Sequence, residues 1–195
     1  MATRSFPALD VDQLVSAAFE QLEEQGLEAL SMRRLAARLN VQAPAIYWHL
    51  EDKAELLGLM ANRIYAAAYR EVTSEQDWRA WLRRFGRALR CSFAGHRDGA
   101  RLCAIARPPA EADPAEHAQR IAAPLVALGL SHRQALSYQA SVISFALGWA
   151  AFEANGPMHG FLDQMLDFGG SFQQGLDALV AGFPASEQAD GPGPN

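Results

Sequence analysis

The chain of 195 residues has two cysteines, a single lysine and no apolar run long enough to cross a membrane. Its longest apolar run, residues 142–152, has the length of a buried helix. The first residues lack the apolar segment of a secretion signal, so we expect a cytoplasmic protein with no membrane partner. Cys91 and Cys103 do not have the spacing of metal ligands, and we expect two free thiols and no metal site.

Signatures of catalysis are missing as well. The sequence has no phosphate-binding loop, dinucleotide fingerprint, zinc-protease helix or nucleophile elbow, and no cysteine–histidine arrangement that suggests a nucleophile. We therefore expect a protein that is not an enzyme and that has no cofactor. A helical ligand-binding enzyme stays open as an alternative.

A surplus of basic charge is also lacking, because the formal net charge is −5, and this argues mildly against nucleic acid as a partner. The distribution of charge weighs more than the sum. Residues 31–49 contain three arginines and no acidic residue, whereas four glutamates lie between residues 20 and 28. A small basic patch on an acidic protein suits a DNA binder that depends on specific contacts.

Apolar residues recur with the 3.6-residue period of helices, and the alternation typical of strands is almost absent, which predicts an all-α protein. Residues 11–22 carry one apolar stripe, with Asp10 placed to cap this first helix and Gly26 placed to end it. Later helices are predicted over about 52–71, 75–93, 98–106, 115–128, 132–153 and 158–182. The segment 184–195, rich in glycine and proline, is expected to be a disordered tail.

Two short helices are predicted between the first helix and residue 52. Ser31 is placed to cap a helix over 32–39, and Asn40 suits the left-handed conformation that ends it. Pro44 suits the first position of a helix over 44–49 and biases Ala43 away from helix. A helix, a four-residue turn and a helix make a helix-turn-helix, centred on residues 31–50. We expect a three-helix DNA-binding domain over 8–53 and a helical domain over 54–183.

Three consecutive aromatic or imidazole side chains, Tyr47, Trp48 and His49, point in three directions around the short third helix and cannot all be buried. Their polar tips suit DNA phosphates, as does the ammonium group of Lys53, and Ala45 is small enough to contact a thymine methyl.

Other roles for this segment stay open. The tyrosine and tryptophan could pack between helices, and the histidine could cap the helix C-terminus. Arg33 is placed to reach a guanine edge, whereas Arg34 and Arg38 are expected to be solvated or paired with the preceding glutamates.

The stretch 27–57, with Tyr47-Trp48-His49 followed by Lys53 and Leu56-Leu57, resembles the tetracycline-repressor (TetR) family of bacterial transcriptional regulators. The tetracycline repressors' own branch is the most similar, and the resemblance extends weakly through His96–Ala100 and Arg107-Pro108. It implies a homodimer that binds double-stranded operator DNA with two half-sites. It also implies a small-molecule effector pocket in the C-terminal domain, whose occupation releases the DNA.

The resemblance carries ten DNA-facing positions onto this chain. They are Ser31, Met32, Arg33, Ala43, Pro44, Ala45, Tyr47, Trp48, His49 and Lys53. Ala43 stands where tetracycline repressors have a base-reading glutamine, and alanine cannot make that bidentate contact with adenine. We therefore expect an operator other than the tetracycline operator.

Eight positions are expected at the effector pocket: Tyr69, Phe85, Leu89, Cys103, Arg107, Phe145, Trp149 and Phe152. Cys103 stands where tetracycline repressors have the histidine that holds the drug's Mg²⁺, and a soft thiol is a poor ligand for that hard cation. Aromatic residues replace polar ones at Tyr69 and Phe85. We expect an apolar or aromatic effector bound without metal, rather than tetracycline.

The helix over 132–153 is apolar nearly all round, so it needs covering on two sides. With the apolar segment 158–182, it predicts an isologous four-helix interface between two protomers. The alternative for either helix is a place in the protomer's own core. A structural helix-turn-helix protein without ligand control is the other class that stays open.

Overall fold

The computed structural model describes residues 9–72, 75–108, 113–154 and 156–184. Regular structure in these ranges is entirely helical, which confirms the all-α prediction. The helices are α1 (Val11–Gln25), α2 (Met32–Arg38), α3 (Ala43–Ile46), α4 (Lys53–Arg70), α5 (Trp78–Ala94), α6 (Gly99–Ile105), α7 (Pro114–Ala127), α8 (His132–Glu153), α9 (Gly156–Leu162) and α10 (Phe168–Gly182).

The ends of α1 follow from its sequence. The Asp10 carboxylate accepts a hydrogen bond from the backbone N–H of Gln13, and the Gln13 side chain accepts one from the N–H of Asp10. This reciprocal pairing satisfies two of the N–H groups that a helix start leaves free. Gly26, at φ +80°, ends the helix in a conformation that other residues rarely adopt.

Helix α4 joins the two halves of the molecule. It packs against α1 on one side and against α5 and α6 on the other. Its buried face carries Leu56, Met60 and Ile64, at the spacing of one helical stripe. The Asp52 carboxylate caps its first turn by accepting from the N–H of Glu55. A displacement at α6 therefore has a direct route to the three N-terminal helices.

Helix α5 is the centre of the larger half, and it contacts α4, α6, α8 and α10. Phe85, Leu89 and Phe93 on its buried face are at most 1% exposed. Arginines on its other face bind the surrounding helices: Arg83 pairs with Asp177 of α10, and Arg90 pairs with Glu153 at the end of α8.

Two predicted helices differ from the observed ones. The segment expected as one helix over 158–182 is two helices, α9 and α10, because Asp167 caps a new start by accepting from the N–H of Gly170. The third helix begins at Ala43 instead of Pro44 and ends at Ile46. Proline is tolerated at its second position because the first N–H groups of a helix have no partner within it. The expected tail, from residue 185 onward, lies outside the described residues.

Candidate nucleic-acid interface and ligand cavity

The second and third helices form the expected helix-turn-helix. The Ser31 hydroxyl caps α2 by accepting from the N–H of Arg34. Asn40 adopts the left-handed conformation, φ 54°, and the N–H of Val41 then reaches back to the carbonyl of Ala36. The sequence features that predicted the turn therefore shape it in the structure.

The polar aromatic segment lies on the outside of this unit. Tyr47 is 53% exposed and Trp48 is 86% exposed, and His49 is exposed beside them. Ile46 and Leu50, which flank the segment, are 0% and 2% exposed and anchor it to the core. Since tyrosine and tryptophan side chains usually bury most of their surface, this exposure disfavours packing between helices and leaves the polar tips free.

The basic residues of the region divide into two groups. Arg38 pairs with Glu20 and Glu24 of α1, as predicted, whereas Arg34 donates to the side chain of Gln25 instead of an acid. Arg33, exposed at the start of α2, and Lys53, at the start of α4, have no hydrogen-bond or ion-pair partner in the described part of the chain.

The remaining predicted DNA-facing residues are not equally accessible. Pro44 is exposed, and Ser31, Ala43 and Ala45 are half-buried. Met32 is only 8% exposed, with its side chain in the core. Its side chain is therefore not presented to DNA, which corrects the prediction for this residue.

A cavity of about 590 Å³ opens between α4, α6, α7 and α8 in the larger half. Its buried wall includes Gly58 and Ala61 of α4 and Cys103 of α6. Half-buried Ile121 and Ile143 come from α7 and α8. The volume lies in the range that binds small organic molecules.

Two tyrosines one helical turn apart on α4 line the cavity. The Tyr69 hydroxyl donates to the Gln139 side-chain oxygen at 2.8 Å, and Gln139, 1% exposed, donates in turn to the carbonyls of Ile121 and Ala135. Burial raises the pKa of Tyr65 to about 12 and raises the pKa of Tyr69 further. Both rings are therefore neutral at physiological pH, and Tyr69 is held in place by a buried polar network.

The Cys103 thiol is 8% exposed, and burial raises its pKa to about 12. Since the thiolate is the form that binds metals, this environment disfavours metal coordination. Cys91 and Cys103 are both free. In the described ranges no three histidine, cysteine or acidic side chains lie together as a metal site would require.

Only three of the eight predicted effector residues, Tyr69, Cys103 and Arg107, line this cavity. Phe85, whose ring lies 4.6 Å from that of Tyr69, and Leu89 are fully buried behind it in the core.

The other three predicted effector residues lie elsewhere. Phe145, Trp149 and Phe152 share one face of α8 and pack around Phe172 and Phe168 of α10. These three residues were expected in the cavity, and the structure corrects this. Side chains three or four residues apart on a helix share a face, and this face of α8 points to α10, whereas Ile143 on another face lines the cavity.

Several cavity residues were missed by sequence reasoning. Tyr65 had a signal, since it stands one turn before Tyr69 on the same helix. Asn62 also lies on α4, one turn before Tyr65. His117 and Arg120 had no signal, because α7 reaches the cavity only through tertiary packing.

Two contacts join the cavity to the helix that leads to the N-terminal domain. Gly58 of α4 lies so close to the carbonyl oxygen of Arg107 that a Cβ at this position would overlap it. The Arg107 guanidinium lies 3.9 Å from the carboxylate of Asp52, the residue that caps α4. The segment after α6 therefore touches α4 at two points along its length.

A second junction joins α1 to the turn before α6. The Asp98 carboxylate accepts from the backbone N–H of Leu27 at 2.9 Å, and Arg97 donates to the backbone carbonyls of Glu23 and Glu24. The His96 ring lies 4.4 Å from that of Phe19. The N-terminal helices therefore contact the larger half of the molecule, which contains the cavity, directly.

A helix-turn-helix with exposed polar aromatics, joined by one helix to a helical domain with a ligand-sized cavity, defines the class of helical regulators with a separate sensing domain. The family model described as "Bacterial regulatory proteins, tetR family" matches residues 14–60, and "Tetracyclin repressor-like, C-terminal domain" matches residues 72–164. The chain belongs to the TetR family of bacterial regulatory proteins.

Individual relatives agree with this assignment. The class C tetracycline repressor of Escherichia coli is 38% identical over 104 residues, which is 52% of this chain and 48% of that protein. The chain thus spans about half the length of this curated relative. A TetR variant from Acinetobacter baumannii in complex with minocycline is 32% identical with a TM-score of 0.73, over 90% of this chain and 96% of that one. ActR of Streptomyces coelicolor in complex with (S)-DNPA is 28% identical with a TM-score of 0.73, over 91% and 98%.

Proposed function

We propose that this protein is a homodimeric transcriptional repressor that a small-molecule effector releases from a palindromic operator. The observation that carries the proposal is the exposed Tyr47-Trp48-His49 segment, which Ile46 and Leu50 anchor to the core. Lys53 lies close to it in sequence and has no partner among the described residues. The relatives named above are regulators and two were crystallised with small molecules, which supports the same reading. Bacterial operator DNA lies in the cytoplasm, so the protein is proposed to act there.

In this proposal the third helix enters the major groove and its flanks bind phosphates. The half-buried Ala43 and Ala45 and the exposed Pro44 offer a small apolar surface to base edges, including thymine methyls. Tyr47, Trp48, His49 and Lys53 hold the backbone, and Arg33 reaches a guanine.

The dimer is proposed to form through α8 and α10. Ala140, Ser144, Gly148 and Ala151 are exposed along one side of α8, while only a third of its most apolar stretch is buried in a single protomer. Ala178 lies on the exposed side of α10. Small side chains let helices approach closely, and a two-fold partner would cover both faces in a four-helix arrangement.

The effector is proposed to occupy the cavity between α4, α6, α7 and α8 without a metal ion. A. baumannii TetR is the relative crystallised with minocycline, but here the neutral, buried Cys103 offers a hard cation nothing to bind. The two tyrosine rings and the isoleucines suit an aromatic ligand. Its entry would displace α6 and the following segment. The contacts of Arg107 with α4 would carry that shift to the helix-turn-helix of residues 31–50, which we call the reading head.

The test uses DNA that flanks the gene, searched for a palindrome and labelled for an electrophoretic or fluorescence-anisotropy assay. Two protomers should bind one palindrome with strong salt dependence, and a scrambled sequence of the same composition should bind far more weakly. Binding that ignores the sequence would favour the structural DNA-binding alternative. Absence of binding to any flanking palindrome would contradict the proposal.

A further inference from the structure

The ionisable side chains that line the cavity include basic residues but no acidic ones among the described residues. Arg107, Arg120 and Asn62 are exposed lining residues, and His117 is a half-buried one. The apolar wall, by contrast, is formed by aliphatic and aromatic groups. A ligand that filled this space would have an apolar body and meet hydrogen-bond donors at one end.

Arg120 and His117, one turn apart on α7, are already arranged as donors. The Arg120 guanidinium donates to Nδ1 of His117 at 2.7 Å. Because arginine stays protonated and has no lone pair to offer, Nδ1 must accept, and the ring proton then lies on Nε2. Both side chains therefore offer N–H groups, so this part of the cavity favours a ligand group that accepts hydrogen bonds over one that donates them.

The charge of Arg120 is not neutralised within the described part of the chain, where no carboxylate lies within 4.0 Å of it. Arg107 differs, since the Asp52 carboxylate lies 3.9 Å from it. Arg120 is thus the cation of the cavity whose charge is most available to a ligand.

The inner part of the cavity favours a flat ring system. Tyr65 and Tyr69 form one wall, and Ile121, Pro124 and Ile143 form another. The Tyr69 proton is engaged by Gln139, whereas the Tyr65 hydroxyl has no hydrogen-bond partner among the described residues. One further donor is therefore free beside the rings.

We propose that the effector is an aromatic compound with an anionic oxygen group, a carboxylate or phenolate, which Arg120 and His117 bind at the open end of the cavity. This inference rests on the proposed function, because it names the chemical class of the ligand for the same cavity. Arg120 supplies the charge and one or two N–H donors, and His117 adds its Nε2 proton. The rings lie against Tyr65 and Tyr69.

The test compares two probes that share a ring system and differ in charge, anthracene-9-carboxylate and its neutral carboxamide. Their binding to the full chain is measured by calorimetry. The carboxylate should bind about tenfold or more tightly than the amide, as expected for a hydrogen bond to a charged group. Arg120→Gln should remove this preference by weakening carboxylate binding alone, and Arg120→Lys should keep part of it. Arg70→Gln, an exposed arginine at the end of α4, is the matched control and should behave as wild type.

Equal or tighter binding of the amide, an unchanged preference in Arg120→Gln, or binding of neither probe at millimolar concentration would overturn the inference. Unchanged amide binding by the variants shows that the cavity is intact. The proposed function is assessed separately, since operator binding without any ligand does not depend on these results. If the protein binds its operator but prefers the amide, the proposed function is supported and the proposed ligand class is contradicted.

Discussion

Lys53 occupies an unusual position, as the chain's only lysine and the first residue of the helix that joins the two halves. It is half-buried, and no carboxylate pairs with it in the described ranges. The phosphate of an operator is the partner that the proposal assigns to it. Tyr47, which is exposed six residues before α4 begins, is assigned a neighbouring phosphate.

Replacing Lys53 by alanine should weaken operator binding while leaving the free energy of unfolding within about 0.5 kcal/mol of wild type. The slope of log affinity against log salt should fall by about one for each reading head, since one phosphate contact is lost in each. Arg70→Ala, on the far end of the same helix, serves as the control. An unchanged salt slope in Lys53→Ala would contradict the phosphate role.

The two cysteines should differ in reactivity because their surroundings differ. Cys91 is exposed, whereas Cys103 is buried with its pKa raised to about 12. Alkylation needs the thiolate, whose fraction at Cys103 becomes appreciable only as the pH approaches that value. Iodoacetamide at neutral pH should therefore modify the native protein once, at Cys91, and the denatured protein twice. Intact mass spectrometry reports the count, and two rapid modifications of the folded protein would contradict the burial of Cys103.

At the scale of elements, the contact between α4 and the segment after α6 depends on one glycine. A side chain at Gly58 would overlap the carbonyl oxygen of Arg107, so the two elements approach each other only because no Cβ is present. In the proposed mechanism, the same closeness would make α4 respond to a displacement of the segment after α6.

Gly58→Ala should lower the free energy of unfolding by about 1–3 kcal/mol, because the backbone of α4 or of the segment after α6 must shift. Gly160→Ala is the matched control, since a Cβ there meets nothing within 4 Å. Denaturant unfolding followed by circular dichroism measures both. Equal stability of Gly58→Ala and wild type would show that the two elements separate freely, and would remove this contact from the proposed coupling.

The junction between α1 and α6 depends on Asp98. This residue has a left-handed backbone, φ 56°, and its carboxylate binds the N–H of Leu27. Asp98→Ala should cost about 1–3 kcal/mol, because it leaves that part-buried N–H without a partner. Asp98→Asn keeps an acceptor oxygen and a residue that tolerates this backbone, so most of the stability should be retained. Thermal denaturation compares the two, and equal losses would assign the effect to charge instead of the hydrogen bond.

At the scale of the whole molecule, the proposed dimer decides how the reading heads are spaced. The exposed side of α8 between Ala140 and Ala151 carries small residues, and Ala178 is exposed on α10. Phe145 and Leu176 instead pack inside the protomer, Phe145 against Gly175 and Leu176 against Gly86. Charges at the buried Leu176 or the half-buried Phe145 would disrupt the packing of the protomer itself. The informative positions are the exposed alanines.

Ala151→Glu together with Ala178→Glu should give folded monomers, because both positions are exposed in a single protomer but buried in the proposed interface. Sedimentation velocity should show the halved mass, and affinity for the palindrome should fall by orders of magnitude since the second half-site is no longer held. Ala94→Glu, exposed at the end of α5, is the control. A dimer that survives the double substitution would place the interface elsewhere.

The local structure of the reading head could be predicted from sequence because its signals are local. Ser31, Asn40 and Gly26 act on their own backbone within a few residues, and helical periodicity reports burial of one face without knowledge of the partner. The pairing of Arg38 with acids on α1 followed from the charge pattern in the same way. The break between α9 and α10 was missed because apolar periodicity continues across it, and the Asp167 cap alone marks the new start.

The cavity required the tertiary structure. Its walls come from α4, α6, α7 and α8, and which face of each helix points inward is set by the packing of all of them together. Resemblance led to three residues that line the cavity, Tyr69, Cys103 and Arg107, but it could not show that Phe145 and Trp149 face α10. The donors Arg120 and His117 became visible only once α7 was placed beside the tyrosines. Sequence alone therefore determined the helix-turn-helix, because its signals act over one or two turns, and only the tertiary structure decided where the cavity lies, because a cavity belongs to no single segment.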